Sequence, residues 1–431
     1  MKNNKKSTIA AKLTCAALAL PGLMQTASAG RVDENYSADF QYGHYGESNK
    51  RMSVDIFEGA LSAPIGKSMT ASLNLVEDSI AGASPVYNTR DANGNISQIK
   101  SGASPTSSCG KSICEVRDAV SANLAYYFDK AALSFGGGYS REHDYASRYF
   151  NTTGSLDLNK KLTTLNFGAS VAFDEITPTP LSSGGIRNTD CGDQCSKTSQ
   201  QYLIGVTQVI DKDSLIQNNM TFGYHSGFLT DPYKKVTFYG NQCFDGFCSP
   251  DFGVGATVLE KRPRERFEWA WLTQYVRHFD QFNHAALHAD YRFSTNDWGV
   301  NAHTFELSWH QPVFDGWQLI PRVRYYSQDQ ADFYSPVFNG DVRFDFNTLD
   351  FAPIKRQAYS SDYRLAGFGA ISSGIKLSKE FEALQPFTQL KLQVGYEYYT
   401  HKAGYEIGGN NRGSFADFSY FLVTAGFNLK F

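Results

Sequence analysis

The sequence predicts an all-β fold: a transmembrane antiparallel β-barrel of about 16 strands with long external loops and short periplasmic turns. Three observations carry that expectation: the pattern of the last residues, the pattern of the first, and the composition between them. From Phe421 to Phe431, apolar Phe421, Val423, Ala425, Phe427, Leu429 and Phe431 alternate with Thr424, Gly426, Asn428 and Lys430. A strand alternates its side chains with period two, so such a segment puts one face in lipid and the other in water. A terminal aromatic after alternating Phe427 and Leu429 also resembles the signal that hands barrel proteins to their assembly machinery, so Phe427, Leu429 and Phe431 are candidate insertion residues.

At the other end, residues 1–29 carry Lys2, Lys5, Lys6 and Lys12, then a short apolar stretch and Ala27-Ser28-Ala29. That is the layout of a secretory signal peptide, and its apolar stretch of about a dozen residues is too short for a membrane helix. Cys15 stands at the front of that stretch, against a lipoprotein. The expected organisation is therefore a cleaved leader, 1–29, and one barrel domain, 30–431. The whole chain has 40 basic and 43 acidic residues; the leader removes four lysines and no acid, leaving a net charge near −7. Nothing in that balance points to nucleic acid as a partner. The expected partners are outer-membrane lipid and the barrel-assembly machinery, in the outer membrane of a Gram-negative cell.

Between the ends, the chain has 25 Tyr, 32 Phe, 5 Trp and 37 Gly, with no apolar run long enough for a helix span. A polar average with abundant aromatics is what alternating lumen and lipid positions produce, with aromatic girdles at both interfaces. No linker-like segment divides the domain.

The period-two template marks strands near 33–45, 50–61, 67–79, 115–129, 131–144, 146–159, 161–174 and 199–211. It marks eight more near 213–226, 263–279, 282–295, 298–312, 316–329, 361–378, 385–402 and 416–431. Connections after even-numbered strands are short (63–66, 128–130, 159–161, 211–213, 279–281, 314–317). The long ones, 80–114, 175–198, 227–262 and 330–360, all follow odd-numbered strands. This asymmetry belongs to outer-membrane barrels and not to sandwiches or propellers.

The six cysteines outside the leader fall in three close pairs, Cys109 with Cys114, Cys191 with Cys195, and Cys243 with Cys248, each in one long loop. In an oxidising compartment this reads as three local disulfides. The alternative is metal or redox chemistry with Asp190, Asp193 and Asp245, although neither spacing is a standard zinc pattern.

Inward positions of the second half gather His284, His288, Asp290, Arg292, Glu306, His310, Arg322, Arg324, Lys391 and Glu397. Such mixed charge either closes a lumen through salt bridges or orients permeating solutes. His284 and His288, four residues apart on a strand, stand about 13 Å apart and cannot share a metal, so no metal site is expected. No catalytic residue and no cofactor are expected: phosphate-binding glycine, haem-attachment and HExxH motifs are missing, and on a strand His143 points to the face opposite Ser140, Glu142 and Asp144, so that stretch cannot form a triad by itself.

Two stretches carry a resemblance. Glu77 to Pro85 resembles a D-S-x-S-G-A-S-P motif, with Ala81 in place of the usual Ser, and Ser140 to Ser147 resembles S-x-E-x-D-Y-x-S. Both are similar to those of an uncharacterised bacterial outer-membrane barrel family, domain of unknown function thirty-five seventy; Tyr45-Gly46-Glu47 followed by Arg51 extends the likeness. The resemblance implies a barrel and, from thioredoxin-like proteins and flavin transferases encoded beside family members, an envelope redox or metal-handling system with periplasmic redox partners. It supplies no catalytic residue. Both motifs fall where odd strands leave the membrane, so Asp78, Ser79, Gly82, Ser140, Glu142, Asp144 and Tyr145 are expected to form a polar cluster at the upper mouth. That cluster either pins loops over the barrel or binds a ligand or ion.

On these grounds the expected role is a channel or export conduit for a small polar solute, or the membrane component of such an envelope system. The alternative is a non-conducting scaffold or surface receptor acting through its disulfide-shaped loops.

Overall fold

The structure is a computed structural model that describes residues 35–82, 85–90, 95–100, 114–178, 194–244, 247–249, 256–345, 350–382, 387–408 and 417–431. Sixteen antiparallel strands close into one barrel. They are β1 (Ser37–Glu47), β2 (Met52–Ile65), β3 (Met69–Gly82), β4 (Cys114–Tyr127), β5 (Ala131–Arg141), β6 (Tyr145–Leu158), β7 (Thr163–Ile176) and β8 (Cys195–Val209). The second half comprises β9 (Ser214–Gly227), β10 (Glu265–Phe279), β11 (Ala285–Asn296), β12 (Asn301–Pro312), β13 (Trp317–Gln328), β14 (Phe368–Glu382), β15 (Gln389–Lys402) and β16 (Phe418–Lys430).

Each strand pairs with its chain neighbours, and β1 pairs with β16 in a register running from Ser37↔Lys430 to Glu47↔Tyr420. The seam is continued by the terminus itself. Tyr36 and Phe431 exchange backbone hydrogen bonds of 3.0 Å in both directions, and their rings stack at 5.8 Å. A closed ladder leaves no edge strand, which a barrel in lipid requires because no water is present to satisfy an open edge.

Directly paired residues share a face, and this separates the two surfaces. One outward row runs Phe40, Phe427, Leu392; another runs Tyr139, Arg148, Phe173. Leu73, Leu75, Phe135, Phe150, Phe167, Ile204, Trp271, Leu307, Val394 and Phe421 are among the large apolar side chains left exposed on this outer wall. A soluble protein would bury them; a barrel presents them to hydrocarbon. Every connection after an even strand is short, the longest running from 383 to 388, whereas 83–113, 177–194, 228–264 and 329–367 all follow odd strands.

The predicted strand count and connection asymmetry match this topology. The fourteenth strand does not start where its alternation suggested: residues 361–367 belong to the preceding loop. There Asp362 caps a short 3-10 turn, Tyr363–Leu365, by accepting from the Arg364 N–H, and a side chain used as a cap is taken out of the ladder.

The long loops have structure that periodicity did not reveal. Lys235–Tyr239 pairs antiparallel with Ala256–Leu259 and parallel with Phe338–Asn339. Gln242–Phe244, Phe247–Ser249, Val342–Asp345 and Asp350–Pro353 form a second small sheet. Val236, Phe238, Ala256, Val258, Phe338, Val342 and Tyr359 make a buried core between the 228–264 and 329–367 loops. These two loops therefore fold together as one cap at the loop end of the barrel, with an apolar core of their own.

Candidate functional site

The rim beneath the cap is held by buried ion pairs that begin with the family-like motif residues. Glu47 ends β1 and pairs with Arg51 across a tight turn; the Arg51 guanidinium also lies 4.5 Å above the Phe418 ring. Asp78, fully buried on the inward face of β3, pairs with Arg117, its register partner on β4. The β4–β5 register ends at Asp118↔Arg141, so one step further sets buried Glu142 opposite Arg117. Ser140 pairs in register with Ser147, whose hydroxyl donates to Asp174 at 2.6 Å, and Asp174 pairs with Lys197 of β8 at 2.9 Å. Asp144 accepts from the Tyr233 hydroxyl of the cap. Tyr145 packs beside the buried Ile176, Cys195 and Phe228.

The expected mouth cluster is thus an inward belt, with two corrections. Ser79 lies on the other face, in register with Asp55 and Val116, because it is one residue from Asp78 and a strand alternates. Gly82 contributes backbone at the end of β3. The belt's basic partners, Arg117 and Lys197, stand at positions that carry no motif, and only the register brings them to the acids.

Above the belt, the cap holds a network of Asp231, Glu260 and Asp362 with Lys234, Arg262 and Arg364. Arg262 reaches Glu260 and Asp362, both at 2.8 Å; Arg364 reaches Asp231 at 3.1 Å and pairs with Asp362; Lys234 stands 3.6 Å from Asp362. The Ser360 hydroxyl donates to Glu260 at 2.5 Å, and the Asp231 N–H donates to the same carboxylate at 2.8 Å. Three acids face three bases, so the buried group is neutral overall. Burial alone would raise Asp362, but Arg364, Lys234 and Arg262 hold its carboxyl well below 3.8. Burial raises Glu260 above 4.5 against the pull of Arg262, and burial lowers Lys234 from 10.5.

Contacts fasten the cap around the barrel. Its loops are rooted between β9 and β10 and between β13 and β14. Tyr233 reaches Asp144 between β5 and β6. Tyr363 meets Phe418 at the start of β16, with ring centroids 5.8 Å apart, and lies beneath Arg51 between β1 and β2. In a ring of sixteen strands these four places are about a quarter-turn apart, so the cap spans the mouth. A third loop joins it: the Thr237 hydroxyl donates to the Asn88 carbonyl, and Asn88 Nδ2 donates to the Pro336 carbonyl at 3.1 Å.

Inside, the two halves of the wall differ. Ser72, Asn123, Gly136, Asn151, Ser170 and Gln201 form one inward row of small and amide residues. A Cβ at Gly136 would collide with the Asn123 and Asn151 amides, so glycine is what lets those side chains lie across the wall. The opposite wall is charged. His288, Asp290, Arg292, Glu306, His310, Arg322, Arg324, Lys391 and Glu397 all fall on the inward register. Arg322 bridges Glu306 at 2.9 Å and Glu397 at 3.2 Å, the latter across β14 at Gly374. These three side chains are 36, 27 and 20% exposed, so they are paired without being fully buried. His288 and His310 stack at 4.2 Å. Arg266, Glu268, His225 and Lys376 share the inward register and were not singled out from sequence.

His284 is not in the lumen. Asn283 and His284 both take left-handed backbone, φ 56° and 59°, which ends the alternation one residue before β11 and turns His284 back over the connection from β10. There it lies 3.3 Å from Asp280.

Cys243 and Cys248 form the expected disulfide, with an S–S distance of 2.08 Å, closing a loop hairpin. Cys195 is disulfide-bonded as well; Cys109 and Cys191 lie outside the described residues, and Cys114 contributes backbone pairing to Ala81. Phe427 and Leu429 face outward on β16, and Phe431 completes the seam.

No curated protein matches the sequence significantly. Among solved structures, the chain is similar to a ferric enterobactin receptor (PfeA) mutant from Pseudomonas aeruginosa, at 7% identity and a TM-score of 0.42, over 85% of this chain and 53% of that one. It thus spans about half the length of that receptor. A bacterial polysaccharide outer membrane secretin is similar at 7% identity and a TM-score of 0.45, over 93% of this chain and 99% of that one. The CymD monoaromatic hydrocarbon channel is similar at 8% identity and a TM-score of 0.38, over 93% and 89%. At the level of sequence, one family model matches residues 10–422, nearly the whole chain, and the chain belongs to that family, described as Protein of unknown function (DUF3570).

Proposed function

We propose that this protein is an outer-membrane conduit for a small polar solute, with its short turns in the periplasm and its external mouth closed by the folded cap. The observation that carries this reading is the charged wall under the cap. Arg322, Glu306 and Glu397 are ion-paired yet partly exposed on the inward face, as expected of groups that line water and not of a sealed apolar core. The row of small, hydroxyl and amide residues opposite gives a permeating solute hydrogen-bond partners. A role as the membrane component of an envelope redox or metal-handling system uses the same path, with the solute as the transferred species.

A second reading, a non-conducting scaffold or receptor, is favoured by the cap itself, which has a core of its own and a disulfide-closed hairpin. Planar-bilayer conductance separates the two. The wild-type barrel is expected to conduct rarely, and a variant with Tyr233→Phe and Asp362→Asn, which loosens the cap at one quarter-point and in its charge network, to conduct often. Silence of both proteins, each shown to be folded by heat-modifiable migration, rejects the conduit; free conductance by the wild type rejects closure by the cap.

A further inference from the structure

We propose that His278, Asp280 and His284 form a divalent transition-metal site on the turn between β10 and β11. His278 occupies the last inward position of β10, and the chain then makes a 3-10 turn, Asp280–Phe282. The two left-handed residues that follow, Asn283 and His284, reverse it so that the imidazoles of His278 and His284 stack at 5.6 Å. Asp280 Oδ1 lies 3.0 Å from His278 Nε2 and 3.3 Å from His284 Nδ1. One ligand atom from each residue falls within 4.8 Å of the others.

A non-glycine residue at positive φ is costly, and histidine there needs support from its surroundings. Asn283 Nδ2 donates to the Pro312 carbonyl at 3.0 Å and Gln311 Nε2 to the Phe282 carbonyl at 2.9 Å, so β12 holds the turn in this form. Two imidazoles and one carboxylate on one side of a turn are a donor set for zinc, copper, nickel or ferrous iron, and leave positions for water or a second ligand; calcium and magnesium prefer oxygen alone. Lys212 stands 3.9 Å from Asp280 with its side chain 81% exposed, free to swing out when a cation arrives. On the same wall, His278 and His310 flank Ala286 in one register row, about two strand spacings or ~10 Å apart. The site therefore sits at the turn-end mouth of the lumen. It does not depend on the barrel being a conduit.

The plain alternative is a pair of His–Asp hydrogen bonds that only stabilise the turn. Isothermal titration of the full-length folded barrel with Zn²⁺, in a non-chelating buffer, distinguishes them. The expected result is one more bound ion in the wild type than in the His278→Ala/His284→Ala variant, with Asp280→Asn weakening that ion about tenfold or more. Copper EPR provides a second readout: a two-nitrogen signal that either single histidine variant removes and His310→Ala leaves intact. Equal stoichiometry in wild type and double variant, or no binding by either, overturns the proposal; heat-modifiable migration confirms that each variant is folded.

Discussion

Asp362 stands where three cations converge, and at the scale of single residues it is the most sensitive point in the cap. It is fully buried and pairs with Lys234, Arg262 and Arg364. Replacing it with Asn leaves the three bases facing only Asp231 and Glu260. Removing one partner from a buried ionic group costs about 3 to 5 kcal/mol, here local to the cap because the barrel ladder is untouched. Hydrogen exchange over 233–239 is therefore expected to accelerate in Asp362→Asn while exchange in β1–β16 stays slow. The pH dependence has a definite sign. The Asp362 carboxyl is held well below 3.8, so the folded state binds fewer protons there than the unfolded state; its contribution is complete above about 3.8 and is lost only as the pH falls through the depressed value. Asp362 also pulls the Glu260 and Lys234 pKa values up, so both fall in Asp362→Asn, and each of these changes widens the difference between the proteins as the pH is lowered. The difference in cap protection between wild type and Asp362→Asn should therefore not shrink from pH 7 to about 4.5 and should shrink only in stronger acid. A difference that vanishes by pH 5.5 would contradict this assignment. Little of this was legible in sequence. The motif acids Asp78, Glu142 and Asp144 stand out, but Arg117 and Tyr233 reach them only through register and loop folding, Lys197 reaches Asp174 in the same way, and alternation places Asp362 in a strand.

At the scale of elements, the strands were the most readable part, because lipid outside and water inside impose a period of two on every spanning segment. Alternation misleads where another constraint is stronger. Residues 361–367 alternate adequately but are used for a cap and a turn, and His284 continues a strand pattern past the point where left-handed backbone ends it. Loop strands such as Phe338–Asn339 could not be found at all, since two residues pairing in parallel with a segment about a hundred positions away leave no periodic trace. The alternation itself makes a sharp prediction. Val394 faces outward between Leu377 and Ala425, and Gln393 faces inward between Ser378 and Gly426. Arginine at Val394 is expected to cost up to about 2 to 4 kcal/mol, as a charge on the lipid face does near the midplane, while arginine at Gln393 stays near neutral. Guanidinium titration of folding into lipid vesicles measures both; equal costs would show that the two faces had been exchanged.

The whole molecule depends on one seam, where the last strand meets the first, and Phe431 acts there in two separable ways. Its backbone exchanges hydrogen bonds with Tyr36, and its ring stacks on the Tyr36 ring. Substitution by Ala keeps the backbone pair and removes the stack, worth about 0.5 to 1.5 kcal/mol. That is small beside a ladder of sixteen strands, so Phe431→Ala should refold into detergent or vesicles almost as well as the wild type. If the terminal aromatic is also what the assembly machinery recognises, the same substitution should lower the amount of folded protein in the outer membrane of cells several-fold, with unfolded chain accumulating or being degraded. A loss confined to cells assigns Phe431 to recognition. An equal loss in purified refolding assigns it to closure of the seam, and unchanged levels in both reject the terminal residue as an insertion signal and leave Phe427 and Leu429, the outward residues before it, as the positions to substitute next.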